Sequence, residues 1–228
     1  MKKVWIKVND CDENISIERI NDFILSFHDD DAELLILKDY AIKHDIPIIR
    51  DETKDFLNII LKIAKPNNIL ELGTAIGYST LVIYKAINGH FNSFITVEEN
   101  KDRILVAKSN FDKYFRNDKV ALIETDITKF LKEYKKSECF DFVFLDAAKA
   151  QYIVWLPYIK KLMKKGSILI ADNIFKDGEI LESKYYIIKR DRTIHKRMRE
   201  FLHTISSDND FATNLFNLGD GISVSIKK

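Results

Sequence analysis

The sequence contains few cysteines, prolines and glycines: two Cys, three Pro and seven Gly in 228 residues. Cys11 and Cys139 lie far apart and outside any Cys-x-x-Cys or Cys/His motif, which argues against a zinc site or a disulfide framework. No Gly/Ser/Pro linker, repeat or low-complexity segment divides the chain. We therefore expect one domain over residues 1–228, with an N-terminal extension and helices in 1–65 and an α/β core in 66–228.

Long hydrophobic runs and a charge excess are also absent. No apolar run approaches the ~20 residues of a membrane span, and Lys2 and Lys3 precede a short mixed run that is not a signal-peptide core. Lys plus Arg number 36 against 35 Asp plus Glu, which gives a net charge of +1. Because no overall field attracts a polyanion, any nucleic-acid site must be a local patch. We expect a cytoplasmic protein without a membrane partner.

The hydrophobic period changes near residue 68. Before it, apolar residues three to four apart predict two helices between Ser16 and His44 and a third between Pro47 and Pro66. After it, short apolar runs alternate with helical ones, which predicts parallel βαβ units and a doubly wound α/β sheet. We predict strands at 69–72, 94–97, 120–124, 140–145 and 167–171, and helices at 79–87, 101–115, 128–135 and 153–163. The last apolar runs, 215–218 and 222–226, predict an antiparallel hairpin at a sheet edge.

The first three strand ends carry residues suited to a cationic nucleoside. In ILELGTAIGYST, Gly73 and Gly77 allow a tight turn, and Ser79 or Thr80 is placed to cap the next helix. The spacing Gly-x-x-x-Gly matches neither a dinucleotide fingerprint nor a phosphate loop. The acids at these ends are Glu71, suited to an ammonium, Glu98, suited to ribose hydroxyls, and Asp126, suited to an adenine amine. An ordinary turn, a solvated end and a helix cap are the structural alternatives, and the agreement of three ends favours a ligand.

The fourth and fifth strand ends carry hard oxygen donors. Asp146 follows the strand 140–145, and Asp172 and Asn173 follow the strand 167–171. Two carboxylates and an amide oxygen are a donor set expected for Mg²⁺, which can hold a hydroxyl and make it more acidic. Lys149 is placed to accept or stabilise the proton of that hydroxyl. The structural alternatives are a helix cap, a turn and a solvated lysine.

These motifs resemble a known family. The segments ILELGTAIGYST, TVEEN, FDFVFLDAAKAQY, ADN and GDGISVS occur in the order of the cation-dependent O-methyltransferases, which use S-adenosylmethionine and include catechol and caffeoyl-CoA methyltransferases. The resemblance implies a Rossmann-like class I fold, S-adenosylmethionine and Mg²⁺ as cofactors, and a homodimer that uses the N-terminal helices. It implies cofactor contacts at Glu71, Gly73, Gly77, Tyr78, Ser79, Glu98, Asp126 and Asp146, metal ligation by Asp146, Asp172 and Asn173, and catalytic roles for Lys149 and Asp146.

Within this family the chain is similar to the bacterial branch that methylates 5-hydroxyuridine at the wobble position of tRNA. DIPI (45–48), DAAKAQY and the tract KRDRTIHKRMREF (189–201) carry that similarity, although Ala150 stands where we expect Gly. The tract predicts a helix with the buried stripe Ile187, Ile194, Met198, Phe201, Leu202 and Ile205. Off the stripe lie five cations suited to the phosphates of an anticodon loop: Arg190, Arg192, Lys196, Arg197 and Arg199. A basic solvated helix face is the alternative.

Three functions stay open on the sequence. The first is a tRNA-modifying enzyme, and the second is a catechol-type methyltransferase that acts on a small phenolic substrate. The third is a non-catalytic protein that binds S-adenosylmethionine or RNA. The intact set of metal and proton-transfer residues argues against the third, because a pure binder has no need of a metal beside its ligand. Tyr78 and Tyr152 are candidates to line the site, or else packing residues. Residues 1–14 have no predicted role.

Overall fold

The computed structural model describes residues 17–28, 31–115, 120–176 and 178–228. The chain divides into two units, with the boundary between residues 30 and 31 of the sequence. The described part of the first unit contains helix α1 (Ile17–Leu25). The extension 1–14 and Cys11 lie outside the described residues, and Cys139 is a free thiol. The single-domain assignment stays a prediction.

The second unit opens with the other two predicted helices, α2 (Ala32–Lys43) and α3 (Asp51–Ala64). The carboxylate of Asp31 caps α2 by accepting from the amides of Glu33 and Leu34, which explains why an aspartate directly precedes this helix. Helix α3 ends at Lys65, in the left-handed region, directly before Pro66. Exposed isoleucines remain on α2 and α3, and assembly of a homodimer through them stays a prediction.

A seven-stranded mixed sheet follows. Its strands are β1 (Asn68–Leu72), β2 (Ser93–Glu98), β3 (Val120–Glu124), β4 (Phe140–Leu145), β5 (Met163–Ala171), β6 (Phe211–Phe216) and β7 (Ile222–Lys227). The remaining helices are α4 (Tyr78–Ala86), α5 (Lys101–Tyr114), α6 (Ile127–Glu133), α7 (Tyr152–Leu162) and α8 (Arg192–Ser207). The strand order is β3-β2-β1-β4-β5-β7-β6. The strands β1 to β5 are parallel, and β7 is antiparallel to both β5 and β6.

The doubly wound sheet and the edge hairpin are confirmed. Strand order reverses between β1 and β4, so the carboxyl ends of these two strands form the switch point where α/β sheets bind ligands. Two strands begin earlier than predicted. β5 begins at Met163, and its start was missed because Lys164, Lys165 and Gly166 are not apolar. β6 begins at Phe211, and its start was missed because Thr213 interrupts the apolar pattern. The Thr213 hydroxyl lies 2.8 Å from that of Ser225 on β7.

Helices cover both faces of the sheet. Successive residues of β4 point to opposite layers: Val143 packs with α6, α7 and α8, whereas Phe142 packs with α2, α3 and α4. In α8 the predicted stripe is confirmed at Met198, Phe201 and Ile205, but His195 is also buried. The placement of Ile187 on this helix is wrong, because α8 begins at Arg192 and Ile187 is buried in the loop before it. Among the helices that the structure describes, none is long and apolar enough to cross a membrane.

Candidate active site

A cavity of about 500 Å³ lies at the carboxyl ends of the parallel strands. Its wall combines the segments that follow β1, β2, β3, β4 and β5 with residues 47–49, which precede α3. Six predicted cofactor residues line it: Gly73, Tyr78, Ser79, Glu98, Asp126 and Asp146. Lys149 and Asn173 line it as well. The crevice thus lies where the strand order predicts a ligand site.

The turn after β1 depends on its glycines. Gly73 has a φ of +105°, and a Cβ built on it would lie 2.0 Å from the carbonyl oxygen of Asp146. The amide of Asp146 in turn donates to Leu72 O at 3.0 Å. Close packing of the two strand ends therefore requires glycine at position 73. Gly77, with a φ of +86°, starts helix α4.

The predicted cap of α4 is wrong. Gly77 occupies the N-cap without a side-chain hydrogen bond, so Ser79 and Thr80 lie inside the first turn. Their hydroxyls donate to Glu71 at 2.6 and 2.5 Å, and Thr96 donates to the same carboxylate at 2.7 Å. Because Glu71 is fully buried, its carboxylate needs hydrogen-bond donors, and these three hydroxyls provide them.

Glu71 lies behind Ser79 and is not among the described residues of the cavity wall. Burial raises the pKa of Glu71 to about 7, although its three hydroxyl partners oppose the rise. A direct contact of Glu71 with an ammonium group stays a prediction. What the structure places at this point is a carboxyl that holds Ser79, which does line the cavity.

Glu98 at the end of β2 and Asp126 after β3 line the cavity and also accept hydrogen bonds from backbone amides. Glu98 accepts hydrogen bonds from the amides of Ala75 at 2.9 Å, Glu99 at 3.1 Å and Asn100 at 2.9 Å. It thereby fixes the β1 turn against the end of β2. Asp126 caps α6 by accepting from the Lys129 amide at 2.8 Å, which confirms its structural interpretation. The ligand role of both acids stays a prediction.

The oxygen donors after β4 and β5 lie together. Asn173 Nδ2 lies 3.2 Å from Asp146 Oδ1 and 3.4 Å from Asp172 Oδ2. Lys149 Nζ is 3.7 Å from Asp146 Oδ1. Asp172 is buried, and Thr53 of α3 donates to its Oδ1 at 3.3 Å. The structure therefore brings together the four residues that the sequence predicts for metal binding and proton transfer.

A family model described as O-methyltransferase matches residues 28–228. The chain belongs to this family. Catechol O-methyltransferase of Niastella koreensis is 30% identical over 131 residues, which are 56% of this chain and 58% of that protein. The chain thus aligns with little more than half of that relative's length.

Solved structures agree with the family assignment. A crystal structure from Staphylococcus aureus, described provisionally as a caffeoyl-CoA O-methyltransferase, has a TM-score of 0.83 and 26% identity and covers 93% of this chain and 100% of that one. An O-methyltransferase from Bacillus cereus in complex with SAH has a TM-score of 0.79 and 22% identity, with 92% of this chain and 97% of that one covered. The latter shows the fold alone. Similarity to the tRNA branch stays a prediction.

The donor set of Asp146, Asp172 and Asn173 fits a hard divalent cation. Among the described residues, no group of three or more His, Cys, Asp and Glu side chains is placed to hold a metal; the set here is two carboxylates and one amide. Burial, and then the charge of Asp146, raises the pKa of Asp172 to about 7. A dication would relieve that repulsion, and rotation of the Asn173 amide would turn its oxygen towards the same point.

Two residues of the site, Thr53 and Trp155, were not found from the sequence. Thr53 lies 119 positions from the Asp172 that it contacts, so no local pattern links the two. Trp155 lines the cavity and donates to the Thr128 hydroxyl at 3.0 Å.

Tyr152 is fully buried, and its hydroxyl lies within 3.3 Å of the backbone of Leu145, Ala147 and Asp172. Of the two interpretations of Tyr152, packing is the one confirmed.

The basic tract 189–201 is partly engaged by hydrogen bonds to backbone carbonyls of this chain. Arg192 donates to Ile187 O at 3.1 Å, Arg197 to Ala150 O at 3.3 Å and Arg199 to Ile180 O at 2.9 Å. Arg190 pairs with Asp191 at 3.4 Å. Lys196 is exposed and makes no ion pair with any described residue. Arg192, Arg197 and Arg199 thus fix neighbouring loops to α8. A role of the five cations in RNA binding stays a prediction.

The buried carboxyl of Glu71 is expected to make stability depend on pH. Its folded pKa of about 7 exceeds the ordinary 4.5, so the folded state binds the proton more tightly and stability falls as pH rises from about 4.5 to 7. The loss is about 3 kcal/mol. Glu71→Gln should flatten this slope in urea unfolding measured from pH 5 to 8. The exposed Glu133→Gln is the control, and an unchanged slope in Glu71→Gln would contradict the assignment.

Proposed function

We propose that this chain is an S-adenosylmethionine-dependent, Mg²⁺-dependent O-methyltransferase that methylates the 5-hydroxyl of 5-hydroxyuridine at the wobble position of tRNA. One observation carries the chemistry: Asp146 belongs both to the cavity wall and to the group with Asp172 and Asn173. A methyl donor in the cavity and an acceptor hydroxyl beside Asp172 and Asn173 would then both lie next to Asp146. Proximity of this kind is a large part of catalysis of group transfer.

Support for the methyl donor comes from the shape and polarity of the cavity. Its volume of about 500 Å³ is in the range of small-molecule sites. Glu98 and Asp126 present carboxylates to it from successive strand ends, as ribose hydroxyls and an adenine amine require. The B. cereus relative is a complex with SAH, the product that S-adenosylmethionine leaves after methyl transfer.

Asp146, Asp172 and Asn173 are the residues that would hold Mg²⁺. When bound, the ion would orient the acceptor hydroxyl and lower its pKa. Lys149, within 3.7 Å of Asp146 Oδ1, is placed for its Nζ to accept or stabilise the hydroxyl proton. Thr53 holds the carboxylate of Asp172 through a hydrogen bond. Tyr152 holds the ends of β4 and β5 through hydrogen bonds to the carbonyls of Leu145 and Asp172.

Methyl transfer then needs alignment and little further chemistry from the protein. The acceptor oxygen forms a bond to the methyl carbon as the bond from that carbon to sulfur breaks, and SAH leaves with the electron pair. The sulfonium loses its charge in this step, so apolar surroundings favour transfer over the charged ground state. Ile48, Val97 and Trp155 provide apolar wall in the cavity.

Two acceptors have specific support. The exposed cations on α8 and just before it support an RNA acceptor, since a neutral phenol carries no charge to pair with them. The 30% identity to a catechol O-methyltransferase supports a small phenol as the second candidate. The two differ in ionic-strength dependence, because only RNA binding releases counterions.

The test is transfer of labelled methyl from S-adenosylmethionine to tRNA that contains 5-hydroxyuridine and, in parallel, to catechol. We expect label in tRNA with Mg²⁺ and its loss with EDTA, and a rate that falls steeply as salt rises. Transfer to tRNA that lacks 5-hydroxyuridine is the control. Metal-dependent label in catechol alone would replace the tRNA proposal with the small-phenol candidate. Methyl transfer that persists in EDTA would overturn the proposal that the reaction depends on Mg²⁺.

A further inference from the structure

The segment between β5 and α8 exposes large side chains that a monomeric core does not require. Tyr185 and Tyr186 are 79% and 81% exposed. The Tyr186 amide donates to Ser183 O at 2.9 Å, which closes a turn that carries both rings. Two adjacent, exposed aromatic rings on a hydrogen-bonded turn provide flat surfaces with a fixed position on the backbone.

A groove with a volume of about 730 Å³ lies beside this turn. We name it the aromatic–basic groove and define it by its lining residues: Glu182, Ser183, Lys184, Tyr185, Arg192, His195, Lys196 and Arg199. Four of these eight residues are Lys or Arg, against one carboxylate. Lys184 Nζ lies 5.1 Å from the centre of the Tyr185 ring. Neither Lys184 nor Lys196 forms an ion pair with a residue that the structure describes.

The groove is tied to the candidate active site through α8. Arg197 donates to the carbonyl of Ala150, the residue after Lys149, and Arg199 donates to the carbonyl of Ile180 at the start of the loop that bears the tyrosines. Each bond joins α8 to a segment that follows a strand end. A ligand held in the groove would therefore have a defined position relative to Lys149.

We propose that the aromatic–basic groove, with Tyr186 at its side, binds the unpaired nucleotides of the RNA acceptor. Tyr185 and Tyr186 stack on bases, and Lys184 and Lys196 pair with phosphates. This inference rests on the proposed tRNA function and adds the surface that holds the substrate. Aromatic rings interleaved with cations are the pattern that binds single-stranded nucleic acid, because every base has a face to stack and every nucleotide a phosphate.

Charge and shape favour RNA over other occupants. A small neutral phenol would use none of the cations. An anionic membrane surface would need them on a flat or convex face, whereas these cations line a concavity. Lys184 Nζ lies over one face of the Tyr185 ring, so a base would stack on the opposite face of that ring.

The experiment measures binding of an anticodon stem-loop RNA to the full chain, by fluorescence anisotropy over a range of salt. The first variant is Tyr185→Ala combined with Tyr186→Ala, and we expect an affinity at least about tenfold lower, since stacking of each base contributes that much. The second is Lys184→Gln combined with Lys196→Gln, which should reduce the salt slope by about 1.4 for two phosphates of a single strand. Lys165→Gln is the control, because Lys165 is exposed at the amino end of β5.

The outcomes separate this inference from the proposed function. Weaker RNA binding by both groove variants, with S-adenosylmethionine binding unchanged as a check of folding, supports the groove. Groove variants that bind RNA as the unchanged chain does, while tRNA is still methylated, overturn the groove and leave the function standing. If the unchanged chain binds phosphatidylserine vesicles through these residues and no RNA, the groove assignment is wrong. An absence of methyl transfer to tRNA despite groove-dependent binding overturns only the acceptor.

Discussion

The variant Asp146→Asn is expected to lower methyl transfer by at least about 100-fold, the size of effect seen when a preorganised charge is removed from an active site. The substitution keeps the shape of the side chain. It removes the carboxylate that faces Lys149 at 3.7 Å and belongs to both the cavity and the oxygen-donor group. The measurement is the initial rate at saturating S-adenosylmethionine, together with Mg²⁺ affinity from titration calorimetry.

A matched control lies at the opposite end of β4 from Asp146. Asp141 is similarly half-buried, but it stands at the amino end of β4, where it pairs with Lys164 at 2.7 Å. Asp141→Asn should therefore lose some stability and keep the rate within about twofold of the unchanged chain at a temperature below unfolding. Equal loss of activity in both variants would mean that the effect of Asp146→Asn is structural, which would remove Asp146 from the chemistry.

The variant Gly73→Ala is expected to destabilise the fold by at least about 3 kcal/mol, which places it among severe substitutions. Its new methyl group would lie 2.0 Å from the carbonyl oxygen of Asp146 and 2.8 Å from the carbonyl carbon. Backbone cannot move aside as a flexible side chain does, so β1 and β4 would have to separate. Urea unfolding gives the loss directly.

Gly166 provides the comparison that isolates this clash. It also has a positive φ, +80°, but a Cβ there meets nothing within 4 Å. Gly166→Ala should therefore show only the cost of left-handed backbone, about 1–2 kcal/mol. If the two alanine variants lose the same stability, the contact between the strand ends is not what requires glycine at position 73.

Much of the site was predictable because parallel strands impose it. Once β1 to β5 are recognised from alternating apolar runs, their carboxyl ends must meet at one edge, and Asp146, Asp172 and Asn173 follow from their position alone. The cap of α4 was predicted wrongly because local preference put Ser79 or Thr80 at the helix start. The buried Glu71 took those hydroxyls instead, and burial of a carboxyl is not visible in local sequence.

The sequence by itself determined the sheet, the helices around it, the strand-end acids and the family. These follow from residue period and motif order, which are properties of short segments. Only the tertiary structure decided that Thr53 supports Asp172, that Tyr152 ties together the ends of β4 and β5, and that Lys184 and the exposed Tyr185 line a groove with α8. Those contacts join residues that are distant in the chain or on different elements. Their partners are chosen by packing and by the need of buried polar groups for hydrogen bonds.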